Sequence, residues 1–264
     1  MIIDINPVAI ELGFFKIHWY GIMYLVGFAL AYFLGVYRSK LVAGWNQDQV
    51  SDLIYYCAIG VIIGGRLGYS IFYGFDKLFS DPLSIFKIWE GGMSFHGGFI
   101  GVATASYIFA RKYNKKILDI MDFVSPLVPL GLASGRFANF INGELWGKPT
   151  DLPWGMVFPN TDKLALVRHP SMLYEMILEG FVLFIIIWIY SSKKRPLGAV
   201  SALWIILYGT FRFLIEFIRE PDAHLEYLAW GWVTMGQVLS APMIILGTIF
   251  ILYAYSNHKK HNLK

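Results

Sequence analysis

Long apolar runs, broken by short polar connections, dominate the chain of 264 residues. A helix needs about 20 apolar residues to cross the hydrocarbon core of a bilayer. About seven segments approach that length, at roughly 17–37, 52–73, 93–110, 120–141, 172–190, 199–218 and 234–255. None shows the two-residue alternation of a membrane β-barrel. The pattern therefore predicts an all-α, polytopic membrane helix bundle, forming one domain over residues 1–264. No repeat or low-complexity tract interrupts it. The longest connection, 142–171, carries Gly, Pro and Trp. A loop of this length inside a compact fold is usually functional or disordered, and its aromatic content favours order.

Composition agrees. The chain is 56% hydrophobic and 15% charged, with a mean hydropathy of +0.53, whereas soluble domains carry about 25% charged residues. Aromatics reach 17%, as expected where two membrane–water interfaces need anchoring. The single cysteine, Cys57, lies in an apolar run and is expected to pack there. It excludes an intramolecular disulfide and a cysteine metal cluster. The net charge of +4 is spread along the chain, so no nucleic-acid partner is expected. Asp4 and Glu11 precede any basic residue. The first apolar segment is therefore expected to be a retained span and not a cleaved signal peptide.

Basic residues set the expected orientation. Of the 22 lysines and arginines, 12 fall in one set of connections and in the C-terminal tail, including the clusters at 111–116 and 193–195. That side is expected to be cytoplasmic. An odd number of spans then places the N-terminus outside and the C-terminus inside.

Charges within a span are costly and mark function by default. Arg66, Arg136 and Arg212 lie inside the second, fourth and sixth segments. Each sits five to seven residues before the outer end of its segment, roughly 7–11 Å below that boundary at about 1.5 Å per residue. His18, Tyr20, His96, Glu175 and Glu179 reach the same outer half from the segments that run the other way. Arginine offers a fixed fork of donors matched to a phosphate, and lipid phosphates lie near this depth. The plainer reading is that carboxylates neutralise these arginines and hold the bundle together. It applies best to Arg212, four residues from Glu216 on one helix face. For Arg66 the neighbouring Gly60, Gly64 and Gly68 offer a close-packing face. His96 lies between glycines and is either a proton acceptor or a hydrogen-bonded packing residue. No histidine pair has metal-ligand spacing within a span, and no nucleophile elbow appears. A transferase would therefore draw its nucleophile from the substrate.

The run Gly135-Arg136-Phe137-Ala138-Asn139-Phe140-Ile141-Asn142-Gly143-Glu144-Leu145-Trp146-Gly147 resembles the signature of the prolipoprotein diacylglyceryl transferase family. So do Gly64-Gly65-Arg66-Leu67-Gly68-Tyr69, Gly92-Met93-Ser94-Phe95-His96-Gly97-Gly98, Arg168-His169-Pro170-Ser171 with Leu173-Tyr174-Glu175, and Phe211-Arg212 through Glu216 to Asp222. The motifs occur in order over nearly the whole chain. Ala138 and Met172 depart from the glycine and glutamine usual at those places.

The resemblance implies transfer of the diacylglyceryl group of phosphatidylglycerol to the thiol of the lipobox cysteine in a prolipoprotein signal peptide. A thioether forms and glycerol 1-phosphate leaves. It implies no metal or organic cofactor, and a plasma (inner) membrane location with the active site facing the outer leaflet. It casts Arg136 and Arg212 as stabilisers of the departing phosphate, His96 as the base and Tyr20 as an orienting group. Arg66, Asn139, Asn142, Glu144, Gly147 and Glu216 would join Arg136 in holding the lipid headgroup. A transporter or flippase of an anionic phospholipid would instead line both halves of the bundle with polar groups. A purely structural subunit would match its buried charges in pairs.

Overall fold

The computed structural model describes residues 1–13, 15–75, 80–87, 91–221 and 227–262. Asp222, the end of the last motif, and two of the 22 basic residues, Lys77 and Lys264, lie outside these residues. The chain opens with a short antiparallel hairpin, β1 (Val8–Leu12) and β2 (Phe15–His18). This hairpin precedes a mostly helical chain, in keeping with the all-α expectation. Gly13, at φ +61°, supplies the left-handed residue that its turn requires. Helices follow: α1 (Trp19–Ser39), α2 (Gln47–Phe72), α3 (Phe95–Lys112), α4 (Ile117–Val124), α5 (Val128–Asn142), α6 (Ser171–Ser191), α7 (Ala199–Ile215) and α8 (Met235–Asn262).

Four of these, α1, α2, α6 and α8, are long and apolar enough to cross a membrane, and the α4–α5 pair makes up to five. They bury only 11–33% of the residues in their apolar windows. Large apolar side chains such as Leu25, Phe33 and Ile249 point outward instead. A water-soluble fold could not expose so much contiguous apolar surface. Acyl chains are the solvent that suits it.

The segment expected as one span at 120–141 is broken. Helices α4 and α5 meet at a 54° bend. Pro126 and Pro129 lie at the break, and proline lacks the N–H that would continue the backbone ladder. Helix α6 has a different irregularity, a π-helical stretch over Met176–Val182. Such stretches are rare and frequently mark functional sites.

The chain divides into two compact units. The first comprises Met1–Ala31 and Met121–Lys264, the second Tyr32–Ile120. In the second unit, α2 and α3 pack through glycines, as the Gly60, Gly64 and Gly68 face led us to expect. A Cβ on Gly68 would lie 2.7 Å from the Gly97 Cα, and one on Gly64 would lie 2.8 Å from the Gly101 Cα. In the first unit, a Cβ on Gly180 of α6 would lie 2.6 Å from the Ala133 Cβ of α5. Asp122 of α4 caps the start of α7, accepting from the Gly198 N–H at 2.7 Å and the Ser201 N–H at 2.8 Å. It thereby satisfies donors that a helix N-terminus leaves open.

Candidate active site

Helices α5, α6 and α7 of the first unit bring arginines and glutamates to one place. Glu175 lies just before the π-helical stretch and Glu179 within it, and both are fully buried. Arg136 of α5 sets Nε 3.0 Å from Glu175 Oε2 and Nη2 3.4 Å from Glu179 Oε2. Arg212 of α7 places Nη1 on Glu175 Oε1 and Nη2 on Glu216 Oε1. Arg219 approaches the same pair of carboxylates, 3.8 Å from Glu175 and 3.7 Å from Glu216. Glu175 is thus shared by three arginines. Sequence reasoning placed Glu175 and Glu179 in the outer half but assigned them no part in the site. Arg219 falls one residue beyond the sixth apolar segment, 199–218, and was not singled out.

The plainer reading therefore holds for Arg136 and Arg212 as far as pairing goes: each meets a carboxylate. The pairing is asymmetric, however. The Glu175 and Glu179 side chains have no exposure, whereas those of Arg136 and Arg212 keep 19% and 15%. The carboxylates stand behind, and the guanidinium groups face outward. A buried anionic layer of this kind keeps arginines charged and oriented inside a low-dielectric bundle. It leaves their outer edges available to an anion.

The signature run continues this site. Gly143, at φ +65°, ends α5, and its N–H bonds back to the Asn139 and Phe140 carbonyls. The chain reverses and brings the Glu144 carboxylate onto α5. There Glu144 Oε1 accepts from Asn139 Nδ2 at 2.8 Å and from Asn142 Nδ2 at 3.2 Å. Tyr20, at the start of α1, is near enough to Glu144 and Arg136 to interact with both charges. Gly147 is pressed between two segments. A Cβ there would lie 2.7 Å from the Ile218 carbonyl oxygen and 2.8 Å from the His169 Cβ. Its place in the signature follows from this close approach. Of the two departures from the family pattern, Ala138 is fully buried, and Met172 fills a core with Ile3 and Phe158.

Arg66 and His96 belong to the second unit. Arg66 is buried, and its donors go to backbone carbonyls: Nε to Ile85 at 3.1 Å, Nη1 to Gly91 and to Gly92, Nη2 to Ser84. These bonds tie Arg66 to the backbone at Ser84, Ile85, Gly91 and Gly92. His96 is exposed in the first turn of α3, beneath the Ser94 cap.

The long connection between α5 and α6 is ordered around Arg168. Its guanidinium lies 3.7 Å from the centre of the Trp146 ring, and its Nε is 2.6 Å from Asp162 Oδ2. Nη1 reaches the Gly147 carbonyl and Glu220, each at 3.4 Å. Breaking such a buried pair costs about 3–5 kcal/mol. Arg168→Ala is therefore expected to speed hydrogen exchange at the Met156 and Arg168 amides, which bond across this loop. Wild-type protection in the variant would refute the clamp.

Asp162 also sets a pH dependence. The Arg168 guanidinium and the Leu164 and Leu166 N–H groups hold its carboxyl below the ordinary aspartate value of 3.8. Its contribution to loop order is then complete above that value and lost as pH falls through the lower, folded one. Loop protection should persist at pH 5 and fail only under stronger acid.

A family model for prolipoprotein diacylglyceryl transferase matches residues 7–253. A Coxiella burnetii protein named phosphatidylglycerol-prolipoprotein diacylglyceryl transferase is 56% identical over 257 residues, 97% of each chain. One of the same name from Legionella pneumophila strain Lens is 57% identical over 245 residues, 92% of this chain and 95% of its own. A Marinomonas protein, also so named, is 54% identical over 250 residues, covering 94% and 93%. The chain belongs to the prolipoprotein diacylglyceryl transferase family.

Proposed function

We propose that this chain transfers the diacylglyceryl group of phosphatidylglycerol to the lipobox cysteine thiol of a prolipoprotein signal peptide. The observation that carries this reading is the pair of partly exposed guanidinium groups, Arg136 and Arg212, backed by the buried carboxylate of Glu175. The cysteine sulfur forms a bond to the terminal glycerol carbon of the diacylglyceryl group. The bond from that carbon to the phosphate oxygen breaks, and its electron pair leaves with glycerol 1-phosphate. The thiol proton passes to a base, for which His96 is the candidate.

Charge grows on the phosphate as it departs. Fixed donors aimed at growing charge stabilise it strongly where water is excluded. Arg136 and Arg212 supply those donors. Asn139, Asn142, Glu144 and Gly147 shape the headgroup side, Glu216 aligns Arg212, and Tyr20 orients the substrate.

The seven-span arrangement belongs to the same proposal. Helix α3, the bent α4–α5 pair and α7 complete the set with the four longer helices. The 17 residues of α7 reach about 25 Å, and the turn after it covers the remainder. The basic clusters support a cytoplasmic C-terminus and an outer N-terminus, with the arginine site facing the outer leaflet of the bacterial inner membrane.

Purified protein in detergent, given phosphatidylglycerol and a lipobox peptide, tests the reaction. Mass spectrometry should find a diacylglyceryl adduct on the cysteine. Folded, lipid-bound protein that makes no adduct but moves phospholipid between leaflets would favour a flippase.

A further inference from the structure

The first turn of α8 is joined to the arginine site through one hydroxyl. Thr234 precedes the helix, and Thr234-Met235-Gly236-Gln237 forms a capping box. The Gln237 side-chain oxygen accepts the Thr234 N–H at 3.0 Å, and Thr234 Oγ1 accepts the Gln237 N–H at 3.3 Å. An ordinary cap would leave the threonine proton to solvent. Here Thr234 Oγ1 donates it to Glu216 Oε2 at 2.5 Å. Thr234 and Glu216 are both buried. The bond is therefore closed to water and charge-assisted, the stronger kind of hydrogen bond.

Gly236 completes the seat. A Cβ there would lie 2.8 Å from the Glu216 Cγ and closer still to its carboxylate. The Glu216 carboxylate thus rests directly on the first turn of α8, where the positive end of the helix dipole also favours an anion. With Oε2 held by Thr234, Oε1 is turned toward Arg212 Nη2. The other end of that guanidinium is held by Glu175.

We propose that Thr234, seated beside Gly236, is a positioning residue for the transfer reaction: it fixes Glu216, and Glu216 fixes the orientation of Arg212 toward the lipid phosphate. Thr234 itself touches no reacting atom. The assignment rests on the transferase reading above.

The test uses the full-length protein in detergent. Thr234→Val keeps the shape and removes the donor, whereas Thr234→Ser keeps the donor. Loss of a buried hydrogen bond to a charged group predicts a fall in kcat of about ten- to a hundredfold for Thr234→Val. KM for phosphatidylglycerol should change less. Thr234→Ser should recover activity to within about threefold of wild type, since its hydroxyl can make the same bond.

Glu216→Gln supplies a second arm that does not depend on a single variant folding well. If Thr234 acts through Glu216, adding Thr234→Val to Glu216→Gln costs little more than Glu216→Gln alone. Wild-type kinetics in Thr234→Val, equal loss in Thr234→Ser, or additive losses in the double variant would overturn the assignment and leave the transferase reading standing. A wild-type protein that forms no adduct overturns the transferase reading, and this assignment with it.

Discussion

Arg136→Gln is expected to slow diacylglyceryl transfer by at least about a hundredfold, comparable to removing one donor from an oxyanion hole. Arg136 keeps an exposed edge while its inner face is held by Glu175 and Glu179. Glutamine removes the charge and the fork of donors yet retains a polar side chain of moderate length. If the arginine acts on the departing phosphate, kcat falls more than KM rises, because that interaction is strongest when charge has developed. Arg136→Lys should fall between the two, keeping the charge and losing the planar fork. Titrating phosphatidylglycerol against the rate of peptide adduct formation separates these outcomes. Rates within a few fold of wild type for Arg136→Gln would remove Arg136 from the chemistry.

Glu175→Gln is expected to have the largest effect on stability. Glu175 has no solvent exposure and lies against Arg136, Arg212 and Arg219. Neutralising it leaves three guanidinium groups to share Glu179 and Glu216. Removal of one member of a buried ion pair costs about 3–5 kcal/mol, and a carboxylate shared by several cations belongs at the upper end of that range. Glu179→Gln removes a single contact, to Arg136 Nη2, and should cost less. Detergent-titration unfolding of the two variants beside wild type makes the comparison. A Glu175→Gln protein as stable as Glu179→Gln would show that the shared carboxylate is not the keystone of the cluster.

The difference between what the sequence disclosed and what it withheld is one of depth against azimuth. Counting residues from a span's end gives Arg136 and Arg212 a common expected height along their helices, and the structure joins these two through Glu175. It does not fix which way a helix is turned about its axis, so the sharing of Glu175 was not legible. For the same reason the bonds of Arg66 to the carbonyls of Ser84, Ile85, Gly91 and Gly92 could not be read from its depth.

Other features were legible in part. Pro126 and Pro129 announced a break in the fourth segment, but apolar length alone ran across it. Thr234 and Gln237 had the spacing of a capping box, yet nothing local said that the threonine proton goes to Glu216. The glycine face of α2 was fully readable, because Gly60, Gly64 and Gly68 recur every four residues with no other purpose in a span. The π-helical stretch over Met176–Val182 had no sequence signal at all.

That stretch has a consequence for how the protein tolerates length changes. A π turn holds one residue more than an α turn, so it shifts the angular phase of everything above it by about 100° relative to everything below. Helix α6 therefore keeps two independent alignments. Its lower part, with Leu183 and Ile187, stays in register with the apolar side chains of α7. Its upper part turns Glu175 toward the arginines. Deleting a single residue between 176 and 182 would let the backbone relax into a regular α-helix, with better hydrogen bonding than before. It would also swing the shared carboxylate away from its three cations. The irregular turn works as a vernier, and a shorter, smoother helix at this place would be a better helix in a worse enzyme.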